Sequence, residues 1–127
     1  MDQAPMNVLI VESRRELAAL WRRHLERMGA RVWLACDQQT ATDLLHEVPF
    51  RIIVLDLVLP EGSPLAIADF ASYRQPGCQV IVVTNTSFFS DGSIFNHCAN
   101  ACAFLPSATP PADLAAMVEH YGQATQG

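Results

Sequence analysis

Apolar residues gather into five short runs along the chain, at 8–11, 32–35, 52–55, 80–83 and 101–105. The runs are dominated by Val, Ile, Leu and Ala with no polar alternation, the pattern of parallel strands covered on both faces. Between them the apolar spacing changes to three and four. Leu17, Leu20, Trp21, His24, Leu25 and Met28 share one helical stripe, which Gly29 ends. The alternation continues through helical patterns at 40–48, with Ala41, Leu44, Leu45 and Val48 inward, and at 65–73, 93–99 and 111–121. Ser63-Pro64 and Thr109-Pro110 each place a capping hydroxyl before a proline, and Ser13 with Glu16 has the spacing of a capping box. Five β/α repeats predict an α/β protein: a doubly wound, five-stranded parallel sheet of order 2-1-3-4-5, with helices on both faces as a three-layer sandwich.

At 127 residues the chain has room for one domain, expected over a core of 6–121 with a short flexible tail at 122–127 and no separate output domain. Half of it is hydrophobic and 17% charged, which fits a packed core. The apolar runs are too short to span a membrane, and the N-terminus lacks the pattern of a secretory signal, so the cytoplasm is the expected compartment. A net charge of -5 disfavours nucleic acid or an anionic membrane as a partner. All eight basic residues are arginines; lysine is absent. Cysteines 36, 78, 98 and 102 have neither paired spacing nor a secretory setting and are expected as free buried thiols, and His97, Cys98 and Cys102 lack the second ligand pair of a zinc site.

In such sheets ligands bind beyond the carboxyl ends of the strands. The first strand is followed there by Glu12 and Ser13, the third ends on Asp56, the fourth on Thr84, and the fifth is followed by Ser107. Two carboxylates and hydroxyl groups therefore gather along one edge, chemistry that suits phosphoryl transfer if a cation neutralises the charge.

The segments V-L-I-V-E-S, I-V-L-D-L-V-L-P, I-V-V-T-N and N-A-C-A-F-L-P-S, in this order, resemble the receiver domain of bacterial response regulators, the CheY-like, flavodoxin-like fold, over about 115 residues (6–121). The resemblance implies that Asp56 accepts a phosphoryl group and that Glu12 and Ser13 stand at the acidic pair beside a magnesium ion. It implies that Val58 offers its carbonyl to that ion, that Thr84 is the switch hydroxyl and Phe104 the switch aromatic, and that Pro60 shapes the loop after the acceptor. The implied partners are a sensor histidine kinase or phosphotransfer protein and a downstream protein target, with a homodimer also in view.

The chain departs from the family at several of these positions. Ser13 replaces the second acid, so magnesium is expected to bind weakly, through Glu12, Asp56 and Val58. Asn85 stands where the family has Ala or Gly, Asn100 replaces a turn glycine, and Ser107-Ala108 stands at the family's Lys-Pro. Losing a cation about 4 Å from the acceptor removes roughly 4 kcal/mol of attraction at an effective dielectric of 20, before solvent compensates. Arg14 is a candidate replacement, against the plainer expectation of a solvated arginine beside Arg15. Asp56 itself has a plainer role available, as a turn residue closing a buried strand.

Two functions follow: an atypical single-domain receiver that acts through protein contacts, or an interaction module that keeps the fold without the phosphoryl switch. A small enzyme or flavin carrier is disfavoured, since G-x-S-x-G, G-x-G-x-x-G and P-loop motifs are absent and Val58 fills the second acid position of a D-x-D phosphatase. The adjacent aromatics Phe88 and Phe89, in 86–92 after the fourth strand, are expected at the surface near the acceptor, as a shield or a partner contact.

Overall fold

The computed structural model describes residues 6–60, 62–84 and 100–124. Its elements are β1 (Asn7–Val11), α1 (Arg15–Arg27), β2 (Arg31–Ala35), α2 (Gln38–Glu47), β3 (Ile52–Asp56), α3 (Pro64–Arg74), β4 (Gln79–Thr84), β5 (Ala101–Pro106) and α4 (Pro111–Ala124). All the strand pairs are parallel and the order is β2-β1-β3-β4-β5, as the sequence predicts. The expected helix at 93–99, Asn85, Phe88, Phe89, His97 and Cys98 lie outside the described residues.

The uninterrupted apolar runs have the predicted cause. Every residue of β3 is buried, as are nearly all of β1 and β4, whereas the edge strands β2 and β5 are partly open. Successive side chains on a strand point to opposite faces. Leu9, Val11, Ile53, Leu55, Val80 and Val82 therefore meet α2 and α3. Val8, Ile10, Ile52, Val54, Ile81 and Val83 meet α1 and α4 on the other side.

The helix ends partly correct the sequence reading. Gly29 ends α1 as expected: with φ of 99° it lets its own N–H reach Glu26 O and the Ala30 N–H reach Leu25 O, a Schellman closure. Ser63 caps α3 by accepting from Ala66 N at 3.2 Å. Ser13 caps nothing, because Arg14 is the N-cap of α1 and the first helical bond runs from Ala18 N to Arg14 O. Similarly, Pro110 O receives the first bonds of α4, so Thr109 stands one residue too early to act as its cap. The cap the sequence reading missed is Asp37, whose Oδ1 accepts from Thr40 N at 2.8 Å at the start of α2.

Two further expectations change. The segment from 122 is not a loose tail at its start, since α4 runs to Ala124 and the buried Gly122 carbonyl accepts from Arg51 Nη1 at 2.7 Å. At the position of the family's turn glycine, Asn100 has no positive φ, and its side-chain amide donates to Ala68 O. Cys36 is exposed, whereas burial raises the thiols of Cys78 to about 12 and Cys102 to about 11, keeping both protonated.

Strand β5 carries an irregularity. Val80 pairs with Ala101 and Ile81 with Ala103, leaving Cys102 as an extra residue. Such a bulge reverses the facing of the residues beyond it. Ala103 and Leu105 accordingly pack on the α1/α4 side, while Phe104 packs on the α2/α3 side.

Candidate functional site

The carboxyl ends of β1, β3 and β4 bring Glu12, Asp56 and Thr84 to one edge, as predicted. Glu12 directly follows β1 and is held by its N–H to Ala35 O at 3.0 Å. Asp56 closes β3 opposite Val83, and Thr84 is the next residue of β4. All three are at least 97% buried.

Arg14 completes this group. Its backbone N–H donates to Glu12 Oε2 at 2.9 Å, a two-residue turn that the start of α1 holds in place. Its guanidinium reaches back over the edge, with Nε 3.1 Å from Glu12 Oε2, Nη2 3.4 Å from Glu12 Oε1 and Nη2 3.2 Å from Asp56 Oδ2. One cation therefore bridges two carboxylates that have left water, while its own side chain stays 49% exposed. The plainer expectation for Arg14 is wrong; Glu12 and Asp56 offer it more than solvent does, because buried carboxylates need a counter-charge.

The electrostatics agree. Burial pushes the Glu12 carboxyl above its ordinary range and the neighbouring Asp56 adds to the rise, while the hydrogen bonds from Arg14 oppose it. Glu12 in turn raises Arg14, which stays charged.

Asp56 also serves as a turn residue: its Oδ1 accepts from Val58 N at 2.9 Å. The observed link to Val58 thus runs through the N–H, and the Val58 side chain is exposed. Ser13, Arg14, Asp56, Val58, Leu59 and Pro60 line a shallow cleft of about 340 Å³ at the end of β3. Ser107 follows β5, with its N–H on Thr84 O at 3.1 Å, and its hydroxyl is buried with no hydrogen-bond partner among the described residues. Phe104 is half-buried.

Magnesium prefers oxygen ligands, which Glu12 and Asp56 have. However, each already gives a carboxylate oxygen to Arg14, and among the described residues no group of three His, Cys, Asp or Glu is placed to hold a metal. In this arrangement the residues do not fit the ion.

The structure matches a response regulator receiver domain protein (CheY-like) from Methanospirillum hungatei with a TM-score of 0.88, at 21% identity over 97% of this chain and 98% of that one. The fold is that of a response-regulator receiver domain. The receiver fold recurs in a Burkholderia pseudomallei response regulator with a phosphorylated aspartic acid, calcium ion and citrate (TM-score 0.79, 22% identity, covering 95% of this chain and 71% of that one). It recurs again in TrrA of Thermotoga maritima, in complex with Mg²⁺ and BeF (TM-score 0.78, 16% identity, covering 91% and 98%). No protein-family profile and no curated protein matches the chain. Identities this low compare receiver backbones, so the chemistry of this edge rests on its own residues. Among those described, no helix is long and apolar enough to cross a membrane.

Proposed function

We propose that the chain is an atypical receiver module, one that accepts a phosphoryl group on Asp56 and acts through protein contacts. The observation that carries this is the place of Asp56: it ends the fully buried central strand, beside Glu12 and against a guanidinium, under a cleft open to solvent. A histidine kinase or phosphotransfer protein would supply the group. An Asp56 carboxylate oxygen forms the new P–O bond as the P–N bond of the phosphohistidine breaks, and the ring, protonated at its other nitrogen, leaves as neutral imidazole. Arg14 supplies the positive charge that the transferring oxygens need. Thr84 brings a hydroxyl to the end of the adjacent strand β4, Ser107 follows β5 and donates its N–H to the Thr84 carbonyl, and Phe104 is the aromatic of β5.

This reading is of a signalling module rather than an enzyme, with a downstream protein or a second copy of the chain as target. It has no step that requires magnesium, and the weak binding expected from the sequence enters only in competition with Arg14. A second reading, an interaction module without a phosphoryl switch, is favoured by one fact: both Asp56 oxygens are engaged and its side chain is only 2% exposed.

Intact mass after incubation with phosphoramidate separates the two. The receiver reading expects one added phosphoryl group in the parent and none in Asp56→Asn. An unmodified parent, with or without magnesium, leaves the second reading in place.

A further inference from the structure

Two carboxylates pointing at one another across the ends of adjacent strands need a cation between them. In two solved receiver folds the crystals hold a divalent ion, calcium in one and magnesium in the other. Here the chain supplies a cation of its own. Arg14 is tied to Glu12 by its backbone N–H as well as its side chain, and its carbonyl takes the first bond of α1, so the guanidinium hangs from a fixed point. The planar fork spans Glu12 and Asp56 with 3.1 to 3.4 Å contacts, a reach that a single point charge lacks. Nor does any lysine compete for the position.

We propose that Arg14 is a built-in counter-ion that occupies the cation position of this site and competes with divalent metal for Glu12 and Asp56. A metal ligated by both carboxylates must first take their facing oxygens from the guanidinium. Because the Arg14 side chain is half-exposed, it has a way out into water, so the competition is an equilibrium rather than a block. Arg14 therefore acts on metal affinity in the opposite sense to a ligand: removing it makes the metal bind better. The inference rests on the geometry of these residues and holds whether or not Asp56 is phosphorylated.

The test uses Mn²⁺ as a hard divalent probe, followed by loss of its free-ion EPR signal and displaced by Mg²⁺, on the full chain. Arg14→Gln should bind the ion on the order of tenfold more tightly than the parent, the scale expected when a cation leaves a carboxylate pair. Adding Glu12→Gln should abolish that gain. Equal or weaker binding by Arg14→Gln would overturn the proposal, as would a gain that survives Glu12→Gln or an absence of binding in every variant. If circular dichroism shows that Arg14→Gln is unfolded, Arg14→Lys takes its place. Its point charge can satisfy one carboxylate only, so it should bind more tightly than the parent, and binding no tighter than the parent rejects the idea.

Discussion

Arg14 Nη2 lies 3.2 Å from Asp56 Oδ2 although the two residues are 42 positions apart in the chain. The contact joins the turn after β1 to the end of β3 across two adjacent strands. It gives the edge a cation in a sequence that has no lysine, and on the proposed receiver reading it ties the acceptance of a phosphoryl group by Asp56 to a residue at the start of α1.

An exchange of cations should expose that dependence. With phosphoramidate and a chelator present, Arg14→Gln is expected to slow modification of Asp56 about tenfold, the loss of roughly 1.4 kcal/mol of transition-state stabilisation. Ser107→Lys in that background should restore part of the rate. A mass-resolved time course reads both, and an Arg14→Gln rate equal to the parent's would remove Arg14 from the chemistry.

Glu12 makes stability depend on pH with a definite sign. Its folded carboxyl is raised above its ordinary value, so between the two values the folded state holds more protons than the unfolded one. Stability from this group is present in full below the unfolded value near 4.5 and falls as pH rises through the raised folded value. Glu12→Gln should flatten that slope in urea unfolding series at stepped pH. An unchanged slope would show that Glu12 does not titrate with folding.

Gln75 is the polar anchor under the opposite end of the sheet. Its Oε1 accepts from Phe50 N at 2.7 Å, and its Nε2 donates to Leu45 O and Val48 O at 2.8 and 2.7 Å. Gln75→Ala leaves backbone groups without their partner and should cost about 2 kcal/mol or more, since each buried group left unpaired costs roughly 1 to 3 kcal/mol. Denaturant unfolding measures this, and a loss below about 0.5 kcal/mol would mean that water replaces the amide.

The cap of α2 gives a prediction of the opposite pH sign to Glu12. The Thr40 N–H holds the Asp37 carboxyl below its ordinary range, so its contribution is present above the unfolded value and is lost as pH falls through the folded one. Asp37→Ala should lower the thermal midpoint at pH 7 by a few degrees, whereas Asp37→Asn, also a good cap, should keep most of it and lose the acid dependence. Equal midpoints for Asp37→Ala and the parent at pH 7 would remove the cap from the account.

The order of elements was legible because each burial pattern has a period of its own. Runs such as Ile52, Ile53, Val54 and Leu55 suit only a strand covered on both faces, and the stripe through Trp21 and Leu25 only a helix against it. The chemistry at the strand ends follows from where the runs stop, which by itself puts Glu12, Asp56 and Thr84 on one edge. What the sequence left open were choices decided by distant neighbours. Arg14 has local partners on either side and would be solvated as an isolated residue. It turns inward because folding buries two carboxylates from two strands beside it. The bulge at Cys102 was equally invisible, since Ala101, Ala103 and Phe104 are all small or apolar and suit either face; only pairing with β4 sets which way Phe104 packs. Gln75 carries no signal in the sequence, because its amide meets three backbone groups only once the end of α2 and the start of β3 lie beside it. Short-range periodicity thus determined which segments form strands and helices, while burial of charge and unpaired backbone, which exists only after the strands assemble, decided what stands at the site.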